Sequence, residues 1–273
     1  MLDFLKHEKG SSLVFLFEDK SNKTLYHWAC TGINLLEELR KKMKPGDSTV
    51  ELVKEVSERG ADYIVLLMRH SAREYAPGKH DLLNPLTDEG RELAKSMGEK
   101  LPKHLKLRGY ASPPERCIET SELVSNGHKS MGGEISRTRA LEALGVFYVL
   151  DQMKMYMAMQ ESGGMVPLLE KWFSERIAED IMMSPDVASR ILGRLIKKKL
   201  MVGAKQPQLD ILVSHDFTLF TIKNRLLGQT INQYPAVDYL DGIAFFIKDQ
   251  KIYAQSHHEP AKEINLDLPY LMS

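Results

Sequence analysis

Residues 63–70 read Tyr63-Ile64-Val65-Leu66-Leu67-Met68-Arg69-His70, and this stretch decides the fold class. Its apolar residues form a continuous run without alternation, which is typical of a strand buried on both faces, as in parallel sheets covered by helices. A second run, Asp210-Ile211-Leu212-Val213-Ser214, has the same character and leads into His215. The sequence therefore predicts an α/β fold, a three-layer sandwich with a mixed, largely parallel central sheet.

Helices are predicted to follow the strands. One runs from Thr87, which suits an N-cap, to about Leu101. Another begins at Ser112-Pro113-Pro114-Glu115, which reads as a capping box with proline at the first helical position. A third runs from Phe217 to Leu227 and is ended by Gly228.

The rest of the chain is read as attachments to this core. Residues 1–59 are predicted to be an N-terminal addition, with a hairpin of 13–17 and 24–28 followed by helices 33–43 and 49–59. The main domain is predicted to span 60–258 and to end in a hairpin of 243–247 and 251–254. A methionine-rich helical cap is expected at about 148–205, and 259–273 are expected to be a tail.

Composition excludes several classes of protein. Lys plus Arg and Asp plus Glu each total 37, so no global field attracts nucleic acid or an anionic membrane. Two cysteines are too few for a disulfide framework or a four-thiolate zinc site. The first apolar run, 13–17, is shorter than a signal-peptide core or a membrane span. We therefore expect a soluble, cytoplasmic protein without nucleic-acid or membrane partners.

Charged and imidazole side chains follow the strand ends. Arg69, His70 and Arg73 follow the first strand, and His215 follows the second. Arg116 lies in the first turn of the helix that starts at 112. Because ligands of open α/β sheets bind beyond the carboxyl ends of the strands, we expect these groups to meet at one anion site. Forked guanidiniums with imidazoles suit the oxygens of a phosphoryl group.

No P-loop and no Gly-x-Gly-x-x-Gly follows either strand, so a nucleotide cofactor is not indicated, and we expect no cofactor. The run His257-His258-Glu259 contains possible metal ligands. Adjacent side chains on a strand face opposite ways, however, so no metal site is predicted there.

Four motifs together resemble the histidine phosphatase superfamily, which has the phosphoglycerate mutase-like fold. They are 69–73 (Arg-His-Ser-Ala-Arg), 86–90 (Leu-Thr-Asp-Glu-Gly), 112–120 (Ser-Pro-Pro-Glu-Arg-Cys-Ile-Glu-Thr) and 214–216 (Ser-His-Asp). The resemblance runs in order from about Asp62 to His257. One position departs from the family, which usually has glycine where this chain has Ser71, and a site that required a glycine backbone there would be strained.

The resemblance implies a phosphomonoester hydrolase that needs no metal. The histidine matching His70 would attack phosphorus and form a phosphohistidine that water then hydrolyses. The residues matching Arg69, Arg116 and His215 would hold the phosphoryl oxygens, and Arg73 matches a second arginine of the acid phosphatase branch.

Two carboxylates are candidates for the acid that protonates the leaving oxygen. Asp216 follows His215, as does the proton donor of the acid phosphatase branch, and we favour it because Arg73 fits the same branch. Glu142 resembles the glutamate of the mutase-like branch. The alternative readings are an N-cap for Asp216 and a solvated loop carboxylate for Glu142.

Three rival functions remain open at this point. A phosphomutase would return the phosphoryl group to a product, a noncatalytic phosphate-binding scaffold would turn nothing over, and a metal-dependent hydrolase would be inhibited by a chelator. The expected substrate is a phosphorylated small molecule or a phosphopeptide. The oligomeric state is left open.

Overall fold

The computed structural model describes residues 43–75, 83–202 and 205–266, together with two short strands near the start of the chain. These strands, β1 (His7–Glu8) and β2 (Leu13–Val14), pair antiparallel. The predicted hairpin pairs 13–17 with residues 24–28, and this pairing stays a prediction. Residues 24–28 and the predicted helix 33–43, apart from Met43, lie outside the described residues.

The chain divides into two compact units, Met1–Met43 and Lys44–Ser273, and the second holds every other element that the structure describes. Its first half contains the elements α1 (Asp47–Glu58), β3 (Tyr63–Arg69), α2 (Asp88–Lys100), β4 (Lys106–Ala111), α3 (Glu115–Ser130) and β5 (Ile135–Ala140). A 3-10 turn, Glu142–Leu144, follows β5.

The second half of this unit begins with three helices, α4 (Gln152–Ser162), α5 (Met165–Phe173) and α6 (Pro185–Val202). Strand β6 (Gln208–Ser214) leads into α7 (Asp216–Ile222), which continues as a π-helical segment, Lys223–Leu227. The chain then forms β7 (Gly242–Lys248), β8 (Lys251–Ser256) and β9 (Lys262–Glu263). The predicted closing hairpin is confirmed, and the predicted tail contributes β9 to the sheet.

The seven strands of the second unit form one mixed sheet in the order β5-β4-β6-β3-β7-β8-β9. Strands β5, β4, β6 and β3 are mutually parallel, and β7, β8 and β9 are antiparallel to their neighbours. The predicted α/β class with a mixed, largely parallel sheet is confirmed. Its parallel strands bring the carboxyl ends of β4, β6 and β3 to one edge.

Two apolar cores cover the two faces of the sheet. Val65 and Leu67 of β3 belong to one core with side chains of α5, α6 and α7. Ile64, Leu66 and Met68 belong to the other, with side chains of α1, α2 and α3. This alternation within one strand produces the uninterrupted apolar run, because both faces of β3 are buried.

Helix α1 illustrates how packing extends the core beyond the predicted boundary. Its residues Val50, Val53 and Val56 are buried against the α2 and α3 side of the sheet. Thr49 adds a hydrogen bond from its hydroxyl to the carbonyl of Leu240 at 2.8 Å. The compact unit therefore begins at Lys44, earlier than the predicted start at residue 60.

Two of the helix starts predicted from sequence differ in outcome. Thr87 is the N-cap of α2, and its hydroxyl accepts the backbone N–H of Gly90 at 2.9 Å. The capping box at Ser112 is wrong: α3 begins at Glu115, its N-cap is Pro114, and no side chain caps it. The hydroxyl of Ser112 contacts His215 instead.

Close backbone contact fixes the chain after β3. A Cβ on Gly90 would lie 2.1 Å from the carbonyl oxygen of Ala72, so only glycine lets α2 approach the loop this closely. No described helix is long and apolar enough to cross a membrane.

Candidate active site

The site is built at the carboxyl ends of three neighbouring strands. His70 follows β3, and its backbone N–H donates to the carbonyl of Ser214 at 3.0 Å, at the end of β6. His215 follows Ser214 directly, and Arg116 is the second residue of α3, which begins beyond β4. The parallel register therefore brings the predicted histidines together, with their ring centroids 5.6 Å apart.

The hydrogen bonds of His70 define its tautomer. Its Nδ1 lies 2.8 Å from the carbonyl oxygen of Ser71, which can only accept, so Nδ1 carries the proton. Its Nε2 lies 3.1 Å from Nε of Arg116, which can only donate, so Nε2 presents a lone pair. The imidazole is therefore neutral, with its lone pair directed towards a guanidinium.

The second histidine is held in the opposite tautomer. Nδ1 of His215 lies 3.5 Å from Nη2 of Arg116, a donor. Nε2 lies 2.9 Å from the hydroxyl of Ser112 and so donates to it. Arg116, which is 2% exposed, thus faces both imidazoles.

Burial and positive charge keep both imidazoles neutral. Burial, the neighbouring imidazole of His215 and the charges of Arg116 and Arg69 hold the pKa of His70 well below its usual value. Burial, with the charges of Arg116, Arg69 and Arg73, lowers the pKa of His215 to about 3. Neutral imidazole at His70 is the nucleophilic form.

Arg69 lies between Asp216 and a distant loop. Its Nη2 lies 3.0 Å from Oδ2 of Asp216, and its Nη1 donates to the carbonyl of Val237 at 2.7 Å. The guanidinium also lies over the ring of Tyr239, 4.3 Å from its centroid. Asp216 is the first residue of α7 and accepts the N–H of Phe217 at 2.8 Å, so it does not act as the N-cap of α7.

The remaining predicted residues lie further out. The charge of Arg73 lowers the pKa of His215, while its Nη1 donates to the carbonyl of Glu74 at 3.0 Å. Glu142 is exposed on the 3-10 turn after β5. That turn contacts the site through its backbone, because the carbonyl of Leu144 accepts from the hydroxyl of Ser214 at 2.6 Å.

Ser71 occupies the position where glycine is usual without strain. The described non-glycine residues with positive φ are Glu175, Leu240, Asp249 and Gln250, so Ser71 does not use the left-handed region. Its hydroxyl donates to the carbonyl of Gly90 at 2.6 Å, and its N–H donates to Oγ1 of Thr120 at 3.1 Å. The condition for strain, a glycine backbone at position 71, is therefore not met.

Three side chains of the site escaped the sequence analysis. Ser112 orients His215 but was read as a helix cap. Thr120 lies one turn after Arg116, accepts from Ser71 and donates to the carbonyl of Arg116 at 2.7 Å. Tyr239 covers Arg69 from a loop distant in sequence, and no local signal points to it.

The arrangement can bind an anion and present a nucleophile to it. Arg69 and Arg116 supply two guanidiniums, and His70 supplies a nitrogen lone pair beside them. Within the described ranges, no group of three or more His, Cys, Asp or Glu side chains is arranged to hold a metal ion.

Comparisons with known proteins identify a family and similar solved structures. The model of the histidine phosphatase superfamily (branch 1) matches residues 65–242. A phosphoglycerate mutase from Bacillus anthracis superposes with a TM-score of 0.50 at 18% identity, over 71% of this chain and 92% of that one. A phosphoserine phosphatase variant from Entamoeba histolytica, solved with phosphoserine, gives 0.47 at 16% identity, over 71% and 95%. No curated protein sequence matches.

Proposed function

The chain belongs to the histidine phosphatase superfamily (branch 1), and from this premise we propose that it hydrolyses phosphomonoesters through a phosphohistidine on His70. The observation that carries the proposal is the pair of hydrogen bonds that leaves Nε2 of a neutral, buried His70 facing Arg116. A nucleophile and a cation for the transferring oxygens therefore lie side by side.

In the first step, Nε2 of His70 attacks phosphorus and the bond from phosphorus to the leaving oxygen breaks. Arg116 and Arg69 hold the phosphoryl oxygens, and His215 lies beside them. The leaving oxygen takes a proton from an acid and departs as the alcohol. In the second step, water attacks the phosphohistidine and the nitrogen–phosphorus bond breaks. The acid, deprotonated in the first step, takes a proton from the attacking water. Inorganic phosphate is released and His70 is neutral again.

We propose Asp216 as this acid. The family match is to branch 1, so the likeness of Arg73 and Asp216 to the acid phosphatase branch lends no weight here. Support comes instead from the contact of Asp216 with Arg69 at 3.0 Å and from its position directly after His215.

The choice of leaving group distinguishes Asp216 from Glu142 as the proton donor. Nitrophenolate departs without protonation, whereas an alkoxide needs a proton. Asp216→Asn should lose far more activity on an alkyl phosphate than on nitrophenyl phosphate. Glu142→Gln is the matched comparison and should affect both substrates equally. A selective loss in Glu142→Gln, with none in Asp216→Asn, would reverse the assignment.

The substrate class we propose is a phosphorylated small molecule or a phosphopeptide, with all cations of the site supplied by the protein. The full chain should release inorganic phosphate from nitrophenyl phosphate in the presence of EDTA, and His70→Asn should not. Phosphoryl return that requires a bisphosphorylated primer would instead identify a mutase. Phosphate binding without turnover would identify a scaffold, and loss of turnover with EDTA a metal-dependent hydrolase.

A further inference from the structure

A second cluster of charged groups includes Arg69, and its other members take no part in the proposed reaction. Its centre is Asp241, a 6% exposed carboxylate at the end of the loop that covers Arg69. We call it the Asp241 cluster, and define it as Asp241 with the groups that face it: Ser48 from α1, Arg69 from β3, Lys223 from the π-helical segment, Asp238 from its own turn and His257 after β8.

The carboxylate of Asp241 closes a tight turn. Its Oδ2 accepts the backbone N–H of Asp238 at 2.8 Å, and its own N–H donates to the carbonyl of Asp238 at 3.2 Å. Its Oδ1 lies 3.5 Å from the hydroxyl of Ser48 and 3.9 Å from Nδ1 of His257. The side chain therefore ties the turn 238–241 to α1 and to the end of β8.

The same turn holds Arg69. The carbonyl of Asp241 accepts the backbone N–H of Arg69 at 2.9 Å, and the carbonyl of Val237, one residue before the turn, accepts from Nη1. The ring of Tyr239, inside the turn, lies under the guanidinium. The position of Arg69 thus depends on a turn whose shape depends on Asp241.

Lys223 gives this carboxylate a buried cation. The lysine is 2% exposed, and its Nζ has no hydrogen-bond partner within the described part of the chain. The charges that act on it are those of Asp241 and Asp238. A buried ammonium is costly without an opposite charge, so the charge states of Lys223 and Asp241 are coupled. Lys223 also begins a π-helical segment, a feature that often marks functional positions.

We propose that Asp241 is a positioning residue of the phosphate site, whose ionised carboxylate, supported by Lys223, holds the turn 238–241 and thereby orients Arg69 towards the anion. The inference rests on the proposed function only in taking Arg69 as a phosphate ligand. Asp241 does not touch the substrate; it acts through the backbone of the turn.

The position of Asp241 gives anion binding a characteristic pH dependence. Burial raises the pKa of Asp241 to about 6, and the charge of Asp238 acts in the same direction. The hydrogen bond from the backbone N–H of Asp238 and the charges of Lys223 and Arg69 oppose this rise. Below that pH the carboxylate is protonated and its hold on the turn weakens, so anion affinity falls. Proton uptake by His70 or His215 would have the opposite sign, because an imidazolium strengthens anion binding.

Sulfate binding to the full chain, measured by calorimetry between about pH 5 and 8, tests the proposal, because sulfate stays a dianion throughout this range. Affinity for sulfate should fall as the pH drops through the pKa of Asp241, and we call this fall the acidic limb. Asp241→Asn should bind about ten- to a hundredfold more weakly at high pH, the usual effect of losing a supporting contact, and should lack the acidic limb. Asp249→Asn, the same change on the exposed turn after β7, should behave as the parent does.

Two further variants keep the test decisive if Asp241→Asn folds poorly. Lys223→Met removes the supporting cation and should move the acidic limb to higher pH. His257→Gln should retain the limb, because the titrating group is Asp241.

Parent-like affinity and an acidic limb in Asp241→Asn would overturn the proposal, as would loss of the limb in His257→Gln. Failure of the parent to bind sulfate at any pH would overturn both this inference and the phosphate site. Sulfate binding that depends on Asp241, in a protein without phosphatase turnover, would uphold the positioning role and reject the proposed function.

Discussion

Replacing Arg116 by alanine removes the side chain that contacts both histidines. Its Nε lies 3.1 Å from Nε2 of His70, and its Nη2 lies 3.5 Å from Nδ1 of His215. The side chain is 2% exposed, so water does not screen these contacts. Loss of the guanidinium removes a charge from the place where the transferring phosphoryl group gains negative charge.

The expected loss follows from this geometry. Removing one buried donor aimed at transition-state charge costs about 10²–10³ in rate, or about 2.7–4 kcal/mol. Arg116→Lys keeps the charge but loses the fork that reaches both imidazoles, so it should recover only part of this loss. The charge of Arg116 also lowers the pKa of His70, so in Arg116→Ala the acidic limb of kcat/KM, where the nucleophile is protonated, should move to higher pH.

Steady-state kcat/KM on nitrophenyl phosphate, measured as a function of pH, tests this prediction. Arg137→Ala, which removes an exposed arginine of β5, is the matched control and should leave kcat/KM unchanged. Thermal unfolding of each variant separates lost chemistry from lost folding. A decrease of less than about fivefold in a folded Arg116→Ala protein would refute the assignment of Arg116 to the phosphoryl group.

Three further predictions concern the framework of the site. Asp210→Ala should lower the free energy of unfolding by about 3 kcal/mol in urea titrations, because this fully buried carboxylate accepts two hydrogen bonds from Arg108, each of 2.7 Å. The kcat per folded molecule should change little. Ser71→Gly should cost about 1 kcal/mol of stability by the same measurement, through loss of the bond to Gly90, with kcat retained. Gly90→Ala should lower kcat/KM and stability together, because its Cβ would displace the loop at Ala72.

The parts of the fold encoded in local pattern could be predicted from the sequence. The apolar runs of β3 and β6 marked strands buried on both faces, and their polar ends placed His70 and His215 at one sheet edge. The N-cap at Thr87 was predicted for the same reason, since its hydroxyl serves a backbone N–H three residues away.

Features that depend on contacts distant in sequence could not be predicted. Ser112 fits a capping box locally, but its hydroxyl meets His215, 103 residues away, and that contact decides its role. Strand β9 has only two residues, too short for a periodic signal, and exists because β8 offers it an edge. Tyr239 and Asp241 belong to a loop whose residues acquire a role only when the loop folds over Arg69.

The rings of His257 and His258 show the same limit. The sequence was read as a strand in which adjacent side chains face opposite ways, but β8 ends at Ser256. The two rings lie together, with centroids 3.9 Å apart. Because the strand ends before both histidines, the argument that adjacent side chains face opposite ways does not apply to them.

The covalent intermediate on His70 is the central claim, and trapping it is the most direct test. The full chain is mixed with a substrate labelled in its phosphoryl group, quenched in alkali within the first turnover, and digested to locate the label. We predict an alkali-stable, acid-labile phosphohistidine on the peptide that contains His70. The label should be absent from His70→Asn and present in His104→Asn, a variant of an exposed histidine. Turnover without label on His70, or label elsewhere, would contradict the mechanism.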